Sequence, residues 1–144
     1  MARVQIINAH RRYRLRKRPL AAYVRRVLRQ EGKSRSDVRI VLIDSKSCRA
    51  LNRQYLAHDY STDVISFPLE RGPRLEGEVY VNLDRAKSQA REYAVAFANE
   101  VARLVIHGTL HLVGYDDRRR TDAERMRARE NEHVQFWSFR EEGT

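Results

Sequence analysis

The chain has 144 residues, 42% of them apolar, and its 29 Lys and Arg residues exceed its 19 Asp and Glu residues by ten. This composition predicts one compact domain over residues 1–144, and the lack of an apolar run of roughly 18 residues or of an apolar leader argues against a membrane span and against export. Cys48 is the only cysteine, which excludes an internal disulfide and a thiolate metal cluster and favours a cytoplasmic protein whose metals are held by nitrogen and oxygen.

The N-terminal part predicts a strand and a helix separated by a basic segment. Residues 3–7 have the apolar content of a short strand, and Pro19 opens a helix that Gly32 ends. Between them lies RRYRLRKR, residues 11–18, in which all but two residues are basic. A solvated arm and a nucleic-acid contact explain this run equally well. Residues 38–43, VRIVLI, are apolar on both faces and predict a central strand.

The middle of the chain predicts a second helix and a hairpin. The helix begins at Asp44 or Ser45, either of which can cap it, and runs to about residue 55. Its expected buried residues are Cys48, Leu51 and Tyr55. Residues 64–67, VISF, predict a strand that Pro68 stops, and residues 78–82 predict its partner across a turn-rich segment.

The C-terminal half predicts three helices. Residues 84–93 form a polar helix, and residues 95–113 form a helix that is apolar on nearly all sides and therefore runs through the core. Thr121 and Glu124 have the spacing of a capping box for a last helix. That helix carries Met126, Val134 and Trp137. The order β-α-β-α-β-β-α-α-α predicts an α+β domain with a small mixed four-stranded sheet and about five helices.

Two histidines, a glycine and two aspartates stand close together in the stretch VIHGTLHLVGYDD. His107 and His111 are four residues apart, so a helix projects them from the same side toward one ion. Gly114 can take the left-handed conformation that ends a helix, which brings Asp116 or Asp117 over the imidazoles. Two imidazoles and a carboxylate fill three corners of a zinc tetrahedron and leave the fourth to water, as in catalytic zinc sites.

The alternative for each histidine is a core residue that is hydrogen-bonded to the backbone. A pair at this spacing on a buried helix is better explained by a metal, because burying several titratable groups without a partner is costly. The remaining histidines have no such neighbours in the sequence. We expect surface or structural roles for His10, His58 and His133.

The chemistry expected of such a site is hydrolysis. A zinc-bound water has a pKa of about 7 and supplies a nucleophile, while the ion polarises a carbonyl or phosphoryl oxygen, so the metal-bound water is the expected catalytic group and no side chain is assigned that role. Gly108 stands where HExxH peptidases carry their general base, which disfavours that kind of peptide hydrolysis. The arginine excess and the RRR run at 118–120 favour a phosphodiester in RNA or DNA.

Three blocks of the sequence resemble the bacterial YbeY endoribonucleases, which are also described as ribosomal RNA maturation factors. HGTLHLVGYDD at 107–117 is similar to the family's H-G-x-L-H-L-x-G-Y-D-H, and LNRQYLAHDYSTDVISFP at 51–68 is similar to L-N-x-x-Y-R-x-x-D-x-x-T-D-V-L-S-F-P. GEVYVN at 77–82 matches a third block. The family's acidic last helix is resembled by Glu124, Met126 and Glu130. The resemblance covers most of the chain from about residue 38 onward.

This resemblance implies metal-dependent cleavage of single-stranded RNA in the processing of small-subunit ribosomal RNA and in ribosome quality control. It implies the small ribosomal subunit or its assembly factors as partners. It assigns the ligands of one metal ion to His107, His111 and Asp117, where the family usually has a third histidine. Zinc is the expected ion, and the carboxylate makes a harder divalent ion such as manganese acceptable.

Phosphate recognition is where the chain departs most from the family. The family's arginine after the tyrosine of the L-N-x-x-Y block is Leu56 in this chain. Arg53, three residues earlier on the predicted helix, and Arg118 are the candidates for contacts with RNA phosphates. Alternating faces allow only some residues of the family's strand beside the cleft to point into it. Those residues are matched by Thr62, Asp63 and Ser66.

Two functions of other classes stay open. A non-catalytic RNA- or ribosome-binding assembly factor would use the metal only as a brace, and Leu56 in place of the arginine keeps this hypothesis open. A non-haem iron oxygenase also uses two histidines and one carboxylate, but nothing in the sequence argues for the organic co-substrate that it needs.

Overall fold

Residues 1–56 and 62–142, which the computed structural model describes with side chains up to Trp137, form a four-stranded sheet and five helices. In chain order the elements are β1 (Arg3–Asn8), α1 (Lys17–Gln30), β2 (Asp37–Ile43), α2 (Ser45–Leu56), β3 (Val64–Glu70), β4 (Glu76–Asn82), α3 (Leu83–Glu92), α4 (Phe97–Val113) and α5 (Arg120–Glu142). The α+β class and the predicted order β-α-β-α-β-β-α-α-α are confirmed.

The strands lie in the order β1-β2-β4-β3, which makes β3 an edge strand. β1, β2 and β4 are parallel to one another, and β3 runs antiparallel to β4. The predicted hairpin is therefore confirmed, with Ile65 opposite Tyr80 and Ser66 opposite Val79. The sheet is mixed because α1 joins the parallel strands β1 and β2, whereas α2 leads from β2 into the oppositely directed strand β3 and a short turn joins β3 to β4.

Helices cover both faces of the sheet. Val38, Ile40 and Leu42 alternate along β2 and are fully buried in the main core, which also contains the apolar residues of α1 and α4. On the opposite face, Cys48 of α2 packs with Ile43 and is also fully buried. β2 is thus apolar on both faces toward its C-terminal end, whereas Arg39 near its start is exposed.

Gly108 allows α4 to lie directly on the sheet. A Cβ atom at this position would overlap Val79 Cγ1 and would stand 3.0 Å from Val64 Cγ2. Ser66 Oγ of the edge strand donates a hydrogen bond to the Gly108 carbonyl oxygen at 2.9 Å. This close approach fixes the part of α4 that carries His107 against the start of β3.

Three details differ from the predicted elements. The strand that Pro68 is predicted to stop continues to Glu70, because an edge strand tolerates a residue without an N–H donor. Tyr55 is 60% exposed and not buried, since its ring packs edge-on against Phe67 at the surface of the sheet. The last helix begins at Arg120, so Thr121 lies within its first turn and not at the N-cap.

The histidines outside the cluster have structural surroundings. His10 is buried, with Nε2 lying 2.8 Å from Asp84 Oδ1. His133 is also buried, with Nε2 lying 2.8 Å from Glu31 Oε2. His58 lies outside the described residues. Within the described part of the chain, no helix has both the length and the apolar character required to cross a bilayer.

Candidate functional site

The C-terminal end of α4 and the loop after it bring three potential ligands together. The rings of His107 and His111 lie 4.8 Å apart between centroids, one helical turn from each other. Gly114 ends the helix with a φ of 122°, and the chain then turns back toward the rings. Asp117 Oδ2 consequently lies 3.8 Å from His107 Nε2 and 3.5 Å from His111 Nε2.

Asp116 has a different role from Asp117. Its Oδ1 accepts hydrogen bonds from the backbone N–H groups of Asp117, at 2.7 Å, and of Arg118, at 3.1 Å. This local turn orients the next carboxylate toward the imidazoles. Of the two adjacent aspartates in the sequence, the one that joins the histidines is Asp117.

Hydrogen bonds on the far side of each ring set the atoms that face Asp117. His107 Nδ1 lies 2.7 Å from Glu130 Oε1, and His111 Nδ1 lies 3.1 Å from the Tyr115 carbonyl oxygen. A carboxylate and a carbonyl accept hydrogen bonds, so each Nδ1 carries a proton, and in the neutral ring Nε2 presents the lone pair. This is the arrangement by which metal-binding histidines are usually held.

The electrostatics of the two imidazoles differ. Burial disfavours the charged form of His107, but the hydrogen bond and charge of Glu130 and the charge of Asp117 outweigh it and raise the pKa of His107. Burial and the neighbouring His107 lower the pKa of His111, despite the opposing charge of Asp117. His111 is therefore neutral near pH 7, which is the form that binds a metal.

The geometry of the three groups fits a divalent ion. Their ligand atoms all lie within 4.8 Å of one another. Two bonds of about 2.1 Å at a tetrahedral angle separate their donor atoms by about 3.4 Å, so small side-chain adjustments bring the carboxylate and both Nε2 atoms onto one centre. Two nitrogens and one oxygen suit zinc and are also accepted by harder first-row ions.

These residues lie in an open cleft with a volume of about 700 Å³. Thr62, Asp63 and Ser66 all contribute to its wall, and Ser66 directs its hydroxyl to the backbone of α4. Leu56, at the position of the family's arginine, also lines the cleft. Strand alternation predicts that only some of the three polar residues face the cleft, but two of them, Thr62 and Asp63, precede β3, so alternation along the strand applies to Ser66 alone.

Two arginines of the described residues line this cleft. Arg118 is a predicted phosphate contact, and its side chain is 89% exposed with Nε lying 3.9 Å from Asp116 Oδ2. Arg71, in the turn between β3 and β4, extends Nη1 to within 3.8 Å of the place where a Gly114 Cβ would stand. No pattern in the sequence indicates Arg71. Arg53 is exposed on α2 and is not among the described lining residues, so its contact with phosphate stays a prediction.

Comparison with known proteins agrees with this fold and these motifs. The family described as Endoribonuclease YbeY matches residues 5–138 of the chain. The chain belongs to the YbeY endoribonuclease family. The Endoribonuclease YbeY of Salinibacter ruber is 42% identical over 120 residues, which cover 77% of this chain and 76% of that protein. The Endoribonuclease YbeY of Chlorobium luteolum is 40% identical over 132 residues, which cover 92% of this chain and 96% of that protein.

A solved structure supports the same relationship. The solution structure of a Thermotoga maritima protein superposes with a TM-score of 0.66 and 25% sequence identity, over 97% of this chain and 92% of that one. The family match includes α1 and the basic segment before it as well as the YbeY motif at the end of α4. The family match therefore covers the cleft and also the N-terminal part, although the N-terminal sequence resembles the family only in its general pattern.

Proposed function

We propose that the chain is a metal-dependent, single-strand-specific endoribonuclease that acts in the cytoplasm on ribosomal RNA, in small-subunit maturation and in ribosome quality control. Residues 1–144 would form the single domain that does so. One observation carries the proposal. Two imidazoles with engaged Nδ1 atoms and one carboxylate have their ligand atoms within 4.8 Å of one another in an open cleft. The relatives at 40–42% identity bear the name Endoribonuclease YbeY.

The ligands of a single divalent ion would be His107, His111 and Asp117. Zinc fits this donor set, and the carboxylate also admits a harder ion such as manganese. When bound, such an ion makes a coordinated water acidic enough to attack near neutral pH and polarises a phosphoryl oxygen. Glu130 and the Tyr115 carbonyl would keep the two rings in the tautomer and orientation that this binding requires.

The remaining cleft residues would bind and position RNA. Arg71 and Arg118 place positive charge at the opening, where they can neutralise phosphates on either side of the scissile bond. Arg71 would supply the cation that the family draws from the position of Leu56, since both line the same cleft. Asp116 would act indirectly, by holding the turn that presents Asp117.

A non-catalytic RNA- or ribosome-binding factor is the second candidate function. The observation that favours it is Leu56, an apolar residue exposed in the cleft wall where a phosphate-binding cation is expected. In that case the metal would stabilise the turn after α4, and the net charge of +10 would account for RNA affinity. The small subunit or its assembly factors would be partners under either function.

The deciding experiment combines metal analysis with RNA cleavage. Purified wild-type protein should retain about one zinc-class ion and cleave single-stranded RNA but not a duplex of the same sequence. His111→Ala and Asp117→Asn should lose both the ion and the cleavage. Asp116→Asn is the matched control, because an asparagine oxygen can still accept the two backbone hydrogen bonds.

Three results would argue against the nuclease. RNA binding with one metal ion bound and no cleavage under any metal would support the binding factor. Cleavage that persists in His111→Ala would mean a contaminating nuclease or another site. If Asp116→Asn lost as much metal as Asp117→Asn, metal retention would depend on the negative charge of the turn and not on coordination by Asp117.

A further inference from the structure

The basic run at residues 11–18 is anchored to the protein and is not a fraying arm. Tyr13 stacks on His10 with ring centroids 4.7 Å apart, and Asn8 Nδ2 donates to the Tyr13 carbonyl oxygen at 3.0 Å. Leu15 packs against the main core. The arginines beside these anchors are exposed on the surface. The segment therefore presents its positive charges from an anchored stretch of backbone.

This segment continues into a groove along α1. One cavity of about 710 Å³ and another of about 540 Å³ meet at Ala22, which lines both. We name the two together the α1 groove. Its cations are Arg14, Arg16, Arg18, Arg25, Arg26 and Arg29. Leu15, Phe97 and Trp137 give one end an apolar floor, and none of the described residues that line either cavity is acidic.

These charges repel one another modestly, and an anion lying against them would remove that repulsion. Arg18, Arg25 and Arg29 stand at i, i+7 and i+11 of α1, which places them on one stripe of the helix. Like charges at this spacing repel, and α1 has no acidic residue in its first turn, where the helix dipole disfavours cations. Among the described side chains, no carboxylate forms an ion pair with any of these three guanidinium groups.

We propose that the α1 groove is a second binding site for single-stranded RNA, separate from the metal cleft. The proposal rests on the function proposed above, because the RNA that enters the cleft would continue into the groove. Arginines would bind phosphates while the apolar floor accommodates bases, which is how proteins bind single strands without sequence preference. None of the residues that line the groove lines the metal cleft.

The distance between the two sites is compatible with one RNA chain. Phe97, in the groove, and His107, in the cleft, are ten positions apart on α4, which corresponds to about 15 Å along the helix axis. A strand whose bases stay stacked covers that distance in about five nucleotides at about 3.4 Å each, and a more extended strand needs fewer. An RNA just long enough to fill the metal cleft, which we call an RNA of cleft length, would not reach the groove. An RNA longer by several nucleotides would reach it.

The test compares two variants: one lacks three charges of the groove, and the other lacks three charges elsewhere on the surface. Arg18→Gln, Arg25→Gln and Arg29→Gln are combined in one variant, and Arg26 is kept because its guanidinium lies 3.3 Å over the Phe136 ring. The control variant has the same charge change at exposed arginines outside the groove. It combines Arg85→Gln, Arg91→Gln and Arg127→Gln. Binding of a fluorescent single-stranded RNA is measured at several salt concentrations, with both variants made in the His111→Ala background to prevent cleavage.

We expect the groove variant to bind the longer RNA more weakly, with a plot of log affinity against log salt that is less steep by about 2, or about 0.7 for each lost phosphate contact. The control variant should keep the parent slope. On an RNA of cleft length, the groove variant should bind like its parent. Equal slopes for the groove variant and the control would overturn the proposal. An equal loss of affinity for the longer RNA and for the RNA of cleft length would also overturn it.

Two further outcomes make the test specific. One distinguishes an RNA ligand from a protein ligand, and the other distinguishes failure of the groove proposal from failure of the nuclease proposal. If the groove receives an acidic protein segment instead, RNA slopes stay unchanged in the groove variant, and the proposal fails. If the protein is no nuclease, wild type with metal cleaves neither RNA, yet the difference in salt slope between groove variant and control is still measurable. Circular dichroism and thermal unfolding of both variants ensure that only folded protein is compared.

Discussion

The carboxylate of Glu130 lies 2.7 Å from Nδ1 of His107, although the two residues are 23 positions apart on different helices. Glu130 is buried, with Arg103 Nη1 lying 3.7 Å from its other oxygen, and Arg103 also pairs with Glu100 on its own helix. A contact between α4 and α5 thus fixes the ring that projects Nε2 toward Asp117. The metal site is consequently coupled to the packing of the last helix on the core.

Replacing Glu130 tests this coupling. Glu130→Gln removes the charge that favours a proton on His107 Nδ1, and loss of such a partner typically lowers metal affinity by about 10- to 100-fold. Affinity is measured by competition with a zinc-binding dye. Glu124→Gln, at a 67% exposed side chain on the same helix, should bind zinc as wild type does. Unchanged affinity in Glu130→Gln would mean that the hydrogen bond does not orient the ligand.

Sequence reasoning finds the residues of the site that are close along the chain. His107, His111 and the helix-ending Gly114 follow from helical spacing and from the conformational freedom of glycine, and the turn then brings an aspartate within reach. Glu130 enters only through the family resemblance, because nothing local indicates that a glutamate on α5 will contact α4. Its role depends on how two helices pack.

The same limit explains the differences in the fold. The order of elements follows from hydrophobic periodicity, but the position of β3 at the sheet edge does not, and that position is why Pro68 fits within a strand. Tyr55 has the spacing of a buried residue, yet it lies in the last turn of α2, where its ring contacts Phe67 and stays mostly exposed. Arg71 reaches the cleft only because the β3–β4 turn folds toward Gly114.

Arg71 offers a direct test of phosphate recognition in the cleft. We expect Arg71→Gln to raise KM for RNA by about 10-fold, because a hydrogen bond to a charged group contributes about 1.5 kcal/mol or more. Metal content should not change, since Arg71 contacts none of the three ligands. Steady-state cleavage kinetics measure the effect, and Arg74→Gln, at an exposed arginine in the same turn, serves as the control. Equal effects of the two substitutions would show that only net charge matters.

Gly108 determines how closely α4 approaches the sheet. In Gly108→Ala the new methyl group overlaps Val79 Cγ1, so we expect a loss of about 1–3 kcal/mol in the free energy of unfolding. Urea denaturation followed by circular dichroism measures this loss. Combining Gly108→Ala with Val79→Ala should recover part of it, because the second change removes the closest atom. Independent, additive losses would indicate that the helix moves away from the sheet instead.

Glu31 links α1 to the loop that carries the metal site, and its contribution to stability depends on pH. The Glu31 carboxylate accepts hydrogen bonds from Tyr115 Oη at 2.8 Å and Arg129 Nε at 2.5 Å, and it contacts His133. Burial alone would raise the pKa of Glu31, but its hydrogen bonds to His133, Tyr115 and Arg129 outweigh burial and lower the pKa. The charged form therefore stabilises the fold above the unfolded-state pKa of about 4.5.

We expect Glu31→Gln to lower the free energy of unfolding by about 1–3 kcal/mol near neutral pH, because buried and half-buried donors lose a charged acceptor. The difference from wild type should shrink as the pH falls below about 4.5 and through the lower folded-state pKa. Denaturation of metal-free protein across this pH range measures it. Glu132→Gln, at a 62% exposed side chain, should show little difference at any pH. A Glu31→Gln difference that does not change with pH would contradict the assigned interaction.

The carboxylate of Asp117 should also influence which metal the site selects. Asp117→His gives three imidazole ligands in place of two imidazoles and a carboxylate, and this softer, neutral third ligand favours zinc over manganese. We expect the ratio of zinc to manganese affinity to rise in the variant while about one zinc ion still binds. Competition between the two metals at fixed pH, measured by elemental analysis after equilibrium dialysis, gives this ratio. Asp116→Asn should leave the ratio near that of wild type, because an asparagine oxygen can still accept the two backbone hydrogen bonds that hold the turn. A ratio that falls or stays constant in Asp117→His, with one zinc ion bound, would show that Asp117 does not coordinate the metal.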